Sequence, residues 1–446
     1  MIYRVVRTVL KQKKDPGLYE YLDHHMHLSN NLYNATLFRI RQNFTSRKKE
    51  HPTENELEVQ REIEETLELC PHLKRPKSVL SYKFLERMMR VMDNPDFFAG
   101  LPSQTAEECQ KAAVHDFRSW LASLREYKKH PEKYLGKPKM PHYKKKRSIS
   151  TITFSNQGCK IKEGDILRFA LTKETIHRPE GRLKEVKVKP YYGDLLLACT
   201  FECPDPEEKV KGSGVCAIDL GVENIAAIVS SKGDCWLYKG GVLKEKNQWY
   251  NKQLARLRSI AMKGHDSKEA AKMGLLNTKQ MRRLHQKRDL FFHDAMHKIS
   301  SRIVQECMSH GITTIVIGVN ERWKQSVELG KNTQSFVQMP FYQLRKMIEY
   351  KAERVGIEVI SQEESYTSKA DLTAGDHIPT YGVDDERAKF SGTRVKRGLY
   401  QNKEGNLFNA DLIGAGNILR KKFPETFSKI TDFSFLQDIK VIQVFS

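Results

Sequence analysis

The order of strands and helices in the carboxyl-terminal half constrains the fold of this chain more than any other feature. Short runs rich in β-branched residues alternate there with stretches of helical periodicity. In order they form a strand hairpin, a further strand, helices, a strand, a helix, a strand and a last helix. The hairpin and the further strand lie within 215–238, and the helices within Leu243–His310. The later elements are a strand at Ile312–Asn320, a helix at Phe341–Val355, a strand at Ile357–Ser365 and a helix from about Ala410 to Lys422. This alternation predicts an α+β domain.

Acidic residues stand at the ends of these elements. Asp219 ends an apolar strand, Glu363 and Glu364 lie at the end of a later strand, and Asp411 begins the last helix. Each has an ordinary alternative role, which is a turn for Asp219, a solvated pair for the glutamates and a helix-dipole partner for Asp411. Together, in this order, they fit an RNase H-like fold. Three carboxylates without a Cys or His pair suit a hard metal such as Mg²⁺, and two such ions about 4 Å apart would cleave a phosphodiester.

The amino-terminal half combines strands with a block of helices. Ile2–Leu10 predicts a strand, helical faces run from Gly17 to about Lys129, and strand-like segments return between Ile149 and Cys203. The first strand would close the later sheet and leave the helices as an insertion. A polar segment, Pro204–Gly214, predicts the boundary with the carboxyl-terminal half.

Positive charge predicts a polyanionic partner. The chain has 76 Lys and Arg against 55 Asp and Glu, a net charge of +21, which most simply indicates nucleic acid. A proline-bearing strip at 131–150 suits a phosphate backbone with occasional base stacking, although a solvated linker is the alternative. A basic helical segment follows later. The cations predicted to bind are Lys137, Lys139, Lys144, Lys145, Lys146, Arg147, Lys279, Arg282, Arg283, Lys287 and Arg288.

The eight cysteines include no C-x-x-C pair, so they predict small buried residues in a reducing compartment rather than a zinc site. No window approaches the roughly 20 apolar residues of a membrane span. Charges interrupt the apolar amino terminus, which therefore does not resemble a secretory signal. These features predict a protein of the prokaryotic cytosol, associated with the nucleoid and without a membrane partner.

Several motifs resemble a known family. AIDLGVENIAAI, ITTIVIGVN, EESYTSK and KRGLYQNKEGNLFNADLIGAGNILRK, with the basic strip, resemble the TnpB proteins of transposons and the compact type V CRISPR effectors. The resemblance is clear from about Gly214 to the end and looser before it. It implies an RNA-guided DNA endonuclease, whose guide RNA pairs with double-stranded target DNA beside a short flanking motif. A RuvC-type nuclease domain would cut with Mg²⁺, with Asp219 as the first acidic residue and Asp411 as the third.

The resemblance also implies a division into four domains. A β-barrel wedge domain would be interrupted by a helical recognition domain, and the nuclease domain by an insert that binds the target nucleic acid. The ranges are 1–16 with 145–211 for the wedge, 17–144 for recognition, 212–369 with 403–446 for the nuclease, and 370–402 for the insert.

Two departures from the family pattern stand out. The second acidic residue usually ends the strand TTIVIG, where this chain has Gly318. Some TnpB relatives carry that glutamate at the next strand end, and Glu364 fits the relocated position better than Glu363. The second departure is the insert, which has no cysteine and therefore no zinc is expected. Its cations Arg394 and Arg397 favour contact with the cut strand.

Two other functions remain open at this stage. Gly318 motivates a nuclease-inactive, RNA-guided DNA-binding repressor, and the carboxylates alone do not separate hydrolysis from DNA strand transfer. The sequence leaves open the guide RNA, the flanking motif, the oligomeric state, and a transposon or CRISPR setting.

Overall fold

The chain divides into two compact units, Met1–Pro204 and Asp205–Ser446. The computed structural model describes residues 2–47, 49–159, 181–204, 209–319, 338–384 and 388–445. The division falls at the start of the polar segment that the sequence predicts as a boundary. The finer division into four domains stays a prediction.

An antiparallel sheet forms the β part of the amino-terminal unit. Its strands are β1 (Ile2–Leu10), β2 (Ile152–Ser155), β3 (Arg182–Tyr191) and β4 (Asp194–Cys203), in the order β1-β4-β3-β2. Val6 pairs with Cys199, so the predicted association of the first strand with the later ones is confirmed. The predicted strand ILRFALT, at 166–172, lies outside the described residues, and closure into a barrel stays a prediction.

Four helices precede most of this sheet along the chain. They are α1 (Pro16–Ser46), α2 (Glu54–Leu69), α3 (Tyr82–Val91) and α4 (Ser103–Lys129). Their apolar faces and the inner face of the sheet form one core, in which Met26 and Phe117 are buried together with Phe154 and Val188. The helices therefore share a core with the strands, which accounts for a helical block inside a β unit.

A six-stranded sheet forms the centre of the carboxyl-terminal unit. The strands of this unit are β5 (Gly214–Asp219), β6 (Asn224–Ser230), β7 (Cys235–Lys239), β8 (Ile312–Val319), β9 (Glu358–Glu363), β10 (Thr393–Lys396), β11 (Leu399–Gln401), β12 (Leu407–Asn409) and β13 (Ile439–Ile442). The order of the six-stranded sheet is β13-β7-β6-β5-β8-β9, in which β5 to β7 are antiparallel, β8 and β9 run parallel to β5, and β13 runs parallel to β7. A second sheet has the order β10-β11-β12.

Helices cover both faces of the six-stranded sheet. On one face, the helices α7 (Lys279–Ser309) and α8 (Phe341–Arg354) pack on Ile315 and Ile317. On the other face, α9 (Ala410–Lys422) packs on Ala217 and Val316. Alternate residues of one strand thus enter opposite cores, as expected of a sheet buried on both faces. The predicted apolar stripe of α7 is buried. Two further helices, α5 (Gly241–Ala261) and α6 (Ser267–Lys272), precede α7 along the chain.

The sequence predicts the strands and long helices of this unit, and they are confirmed; β13 and the small sheet were not predicted. All eight cysteines are free and seven are buried, which confirms their prediction as small core residues. Within the described ranges, no helix has the length and hydropathy to cross a membrane.

Candidate active site

Asp219 ends a strand at the middle of the six-stranded sheet. Its strand, β5, is flanked by β6 and β8, and its Oδ2 lies 2.6 Å from the position that a Cβ at Gly414 would take. Only a residue without a side chain allows α9 to approach this carboxylate so closely. Burial, and then the charges of Glu364 and Asp411, raise the pKa of Asp219 well above its ordinary value, and Arg394 opposes this.

The Glu364 carboxylate occupies the space beside Gly318. In the parallel register Gly318 pairs with Gln362, so Glu364 lies just past the end of β9. A Cβ at position 318 would overlap Glu364 Oε2, and it would come within 2.6 Å of Ile418 Cδ1. Burial, with a smaller contribution from Glu363, raises the pKa of Glu364 to about 7. A carboxylate from β9 therefore stands where a side chain from the end of β8 would otherwise project.

The neighbouring Glu363 is held by a different set of contacts. Lys421 Nζ donates to its Oε2 at 2.6 Å, and the backbone N–H of Ser365 donates to its Oε1 at 2.7 Å. Burial opposes ionisation of Glu363, but these hydrogen bonds prevail and its pKa lies below the usual value. In the described part of the chain, no donor contacts the Glu364 carboxylate. The two adjacent glutamates thus have different surroundings.

Asp411 lies in the first turn of α9. Asn409 caps the helix by accepting from the backbone N–H of Asp411 at 3.0 Å. Asn224 Nδ2 donates to Asp411 Oδ2 at 2.7 Å, and Arg394 lies 3.2 Å from Oδ1. Lys239 Nζ donates in turn to Asn224 Oδ1 at 3.1 Å. Asn224 and Lys239 were not predicted; the only sequence signal was an amide shortly after Asp219.

The three predicted carboxylates are neighbours, but they do not form a finished metal site. Among the described residues, no three Asp, Glu, His or Cys side chains converge closely enough to hold a metal ion. The donor set is nevertheless suited to a hard cation, because it consists of carboxylate oxygens with an amide beside them. Burial, and then neighbouring acids, raise the pKa values of Asp219 and Glu364, so their charged forms are costly without a cation. These residues fit Mg²⁺ by their chemistry.

Two of the predicted nucleic-acid contacts, Arg394 and Arg397, form ion pairs with acidic residues near this cluster. Arg394 pairs with Asp411, and Arg397 lies 3.3 Å from Glu223. Both side chains remain exposed, at 44% and 57%. Contact of these cations with a nucleic-acid strand stays a prediction, and it would compete with the carboxylates.

The insert between β9 and α9 is ordered by two aspartates. Asp371 is fully buried and accepts hydrogen bonds from the backbone N–H groups of Thr373, Ala374 and Lys403 at 2.8–3.2 Å. Asp376 accepts from the backbone N–H groups of Asp371 and Ser391. The hydrogen-bond networks of Asp371 and Asp376 in this cysteine-free segment were not predicted from the sequence.

The predicted cations of α7 differ in exposure and in their contacts. Lys279, Arg283 and Lys287 are exposed, whereas Arg282 is partly buried. Arg288 Nε donates to Asn247 at 2.9 Å, its Nη2 donates to the Gln338 backbone carbonyl at 2.8 Å, and its guanidinium packs on the aromatic rings of α5 and α7. Arg288 was predicted as a nucleic-acid contact; its observed contacts instead join α5 to α7.

The strip at 131–150 is docked on α1 and α4. Asn34 exchanges two hydrogen bonds with the Lys144 backbone, Trp120 Nε1 donates to the Pro138 carbonyl at 3.2 Å, and Lys144 Nζ lies over the Tyr33 ring. Its backbone is therefore anchored, unlike that of a solvated linker. Five of its predicted cations are exposed, namely Lys137, Lys139, Lys145, Lys146 and Arg147.

Comparison with known proteins gives matches over most of the carboxyl-terminal unit. Residues 198–324 match the family model OrfB of IS605, described as "Probable transposase", and residues 341–418 match the Cas12f1-like TNB domain. The chain is 30% identical over 214 residues to the TnpB-like protein ORF457 of Acidianus two-tailed virus. That match covers 48% of this chain and 43% of the viral protein, so it spans less than half of the relative.

A solved structure shares the fold. The cryo-EM structure of the Cas12f1–sgRNA–target DNA complex aligns with a TM-score of 0.51 at 15% identity, over 92% of this chain and 85% of that one. The resemblance to TnpB proteins and compact type V effectors, which the motifs indicate, is confirmed by these matches. So is the mixed α/β architecture.

Proposed function

Proceeding from that resemblance, we propose that this protein is an RNA-guided DNA endonuclease. It hydrolyses phosphodiester bonds of target DNA beside a short flanking motif and depends on Mg²⁺. Asp219, Glu364 and Asp411 hold the metal. The observation that supports this most is the Glu364 carboxylate over Gly318, close enough to Asp219 for its charge to raise the pKa of that residue.

Each residue at the site has a distinct role in this proposal. Bound Mg²⁺ supplies an activated water and positive charge for the leaving oxygen. Asp219 is fixed by the central strand, and Asp411 by the helix cap and by Asn224. Glu364 projects from the end of β9, which the Glu363–Lys421 ion pair fastens to α9. Arg394 leaves Asp411 for a DNA phosphate when the strand enters.

Metal binding is coupled to deprotonation of Glu364. Its pKa of about 7 means that much of this carboxyl is protonated near neutral pH. A metal ligand must be in the carboxylate form, so the apparent affinity for Mg²⁺ rises as pH increases through about 7. Cleavage therefore requires less Mg²⁺ at pH 8 than at pH 6.

Guide RNA and double-stranded target DNA are the partners in this proposal. The exposed cations of the strip at 131–150, together with Lys279, Arg283 and Lys287 of α7, bind their phosphates. Binding therefore weakens steeply as salt increases, because each phosphate contact releases condensed counterions. Cleavage depends separately on Mg²⁺.

The test begins with sequencing the RNA that co-purifies with the full chain. A plasmid that matches its guide segment, with randomised flanking sequence, then serves as the substrate. We expect Mg²⁺-dependent cutting, lowered more than about 100-fold by Asp219→Asn, Glu364→Gln or Asp411→Asn, because even a residue that only orients a metal ligand is worth about 10–100-fold. Guide-dependent DNA binding should persist in all three variants. Glu363→Gln is the matched comparison, because it weakens the contact with Lys421 without removing a proposed metal ligand, and it should lower cleavage far less than Glu364→Gln.

The outcomes separate the alternatives. Normal cutting by Glu364→Gln would contradict the assignment of this glutamate. Tight guided binding by the wild-type protein without cutting at any Mg²⁺ concentration would indicate the repressor. Joined DNA ends among the products would indicate strand transfer.

A further inference from the structure

A groove between α5 and α7 combines exposed apolar side chains with a basic rim. Its volume is about 400 Å³. Trp249, Leu257 and Ile260 line it from α5, at positions separated by eight and three residues, which places them on one side of that helix. Trp249 is 45% exposed, with Lys246 Nζ 5.0 Å from its ring centroid, and Ile260 is 63% exposed. An open apolar surface of this kind is a candidate for ligand contact.

The rim of the groove carries positive charge without a compensating acid. Arg256 from α5 and Arg283 and Lys287 from α7 line it, and no carboxylate does. All three are exposed, and within the described ranges none of them pairs with an acidic side chain. Arg283 and Lys287 lie four residues apart, about one helical turn of 5.4 Å, so they form a short row along α7.

This combination favours an unpaired nucleic-acid strand over other ligands. Sites for single strands combine cations along the backbone with aromatic rings on which bases stack. A duplex would satisfy only the cations, because its bases are stacked inside and do not reach an indole ring. Gln253 and Gln280, which also line the groove, offer amide groups to a 2′-hydroxyl. That hydroxyl is the group by which a protein distinguishes RNA from DNA.

We propose that this groove binds an unpaired stretch of the guide RNA. One base stacks on Trp249, and Arg256, Arg283 and Lys287 contact the adjacent phosphates. The choice of guide RNA rests on the proposed function, whereas single-strand binding by the groove does not. Trp249 contacts a base, whereas the cations of α7 contact only the phosphate backbone. Loss of Trp249 therefore tests for an unpaired base at the groove.

The experiment measures binding directly, in the absence of target DNA and Mg²⁺. The full chain, purified free of nucleic acid and labelled with 5-fluorotryptophan, is titrated with a ten-nucleotide oligo(U) RNA. Trp249→Phe assigns the fluorine resonance of the groove. We expect that resonance to shift on titration, and Trp249→Ala to weaken oligo(U) binding about 5- to 150-fold, the range for loss of one aromatic stack.

Two variants make the test specific. Trp249→Phe keeps a ring and should retain most of the affinity. Tyr342→Ala is the matched control, because Tyr342 is a 62% exposed aromatic residue beside Arg345 and Lys346 but outside the groove; its loss should change affinity less than twofold. The double variant Arg283→Ala/Lys287→Ala should reduce the slope of log affinity against log salt by about 1.4, or 0.7 for each phosphate contact on a single strand.

Unchanged oligo(U) binding by Trp249→Ala would overturn the proposal. Equal affinity for oligo(dT) DNA would overturn the assignment to RNA. A Trp249 resonance that shifts with protein concentration alone would instead indicate a second copy in the groove, and would also overturn it. None of these results bears on cleavage, so failure here and failure of the nuclease proposal are distinguishable.

Discussion

Two groups of aspartates and glutamates in the carboxyl-terminal unit have opposite electrostatic surroundings. In the insert, Asp371 and Asp376 accept hydrogen bonds from backbone N–H groups, and for Asp376 these contacts hold the pKa below its usual value although burial opposes them. At the sheet, Asp219 and Glu364 lie close together, and their pKa values are raised by burial and by neighbouring acids.

The difference separates carboxylates that stabilise a loop from those that we propose as metal ligands. A carboxylate surrounded by donors stabilises the loop that supplies them, and it has little capacity left for a ligand. A carboxylate that faces other acids destabilises the folded protein, and this energetic cost is consistent with a site that a cation would relieve. In this chain the first arrangement occupies the cysteine-free insert.

The largest effect is expected from removing the buried acceptor of the insert. Asp371→Ala would remove the shared acceptor of the Thr373, Ala374 and Lys403 N–H groups. Each hydrogen bond to a charged group contributes about 1.5–3 kcal/mol. We expect the free energy of local opening, measured by hydrogen exchange of these amides, to fall by about 3 kcal/mol or more. Asp384→Ala, at an exposed aspartate of the same insert, should leave it nearly unchanged. Equal protection in the two variants would contradict the role of Asp371.

The next effect tests whether Glu364 needs the space above Gly318. Gly318→Ala would force the Glu364 carboxylate or the Ile418 side chain to move, so we expect a loss of about 1–3 kcal/mol in the free energy of unfolding, together with loss of cleavage. Adding Glu364→Gly should restore about 1 kcal/mol or more of the stability but not the activity. The control is Gly241→Ala, where a Cβ meets nothing within 4 Å. Strictly additive effects of the two changes would disprove the contact.

The adjacent glutamates should show opposite pH dependence. The pKa of Glu364 rises from 4.5 to about 7 on folding, so the native state binds the extra proton and stability falls as pH rises between these values. Replacement by Gln should remove that loss, on the order of 1–3 kcal/mol near neutral pH. The pKa of Glu363 is lowered, so its contribution is present above the unfolded value and is lost as pH falls. Denaturant unfolding of the Glu364→Gln variant at pH 5 and 7.5, and of the Glu363→Gln variant at pH 5 and 3.5, measures the two contributions. A change of the same sign with rising pH for both would refute the assignment.

The sequence was sufficient for most strands and for the long helices, but not for the surroundings of the acidic residues. Apolar strands and the α7 stripe have periodicities that one segment carries by itself, so β5 to β9 and α7 could be predicted. The short β13 has too few residues for such a pattern. The contact of Asn224 with Asp411 joins residues 187 positions apart, and that of Lys421 with Glu363 joins residues 58 apart. Only the folded chain reveals that Glu363, and not Glu364, pairs with Lys421.

The smallest effect concerns the amide that orients Asp411. Asn224→Ala would remove the 2.7 Å hydrogen bond to Asp411 Oδ2 and leave Arg394 as its remaining side-chain partner in the described structure. The carboxylate should then turn towards Arg394 and bind metal less well. We expect the Mg²⁺ concentration for half-maximal cleavage to rise about tenfold, the low end for a residue that orients a ligand. Cleavage at saturating Mg²⁺ should change much less, which distinguishes orientation from ligation. Arg397→Ala, which removes the nearby pair with Glu223, is the matched control and should leave the Mg²⁺ requirement unchanged. A loss of cleavage that no Mg²⁺ concentration restores would instead place Asn224 among the metal ligands, and would move the site towards β6.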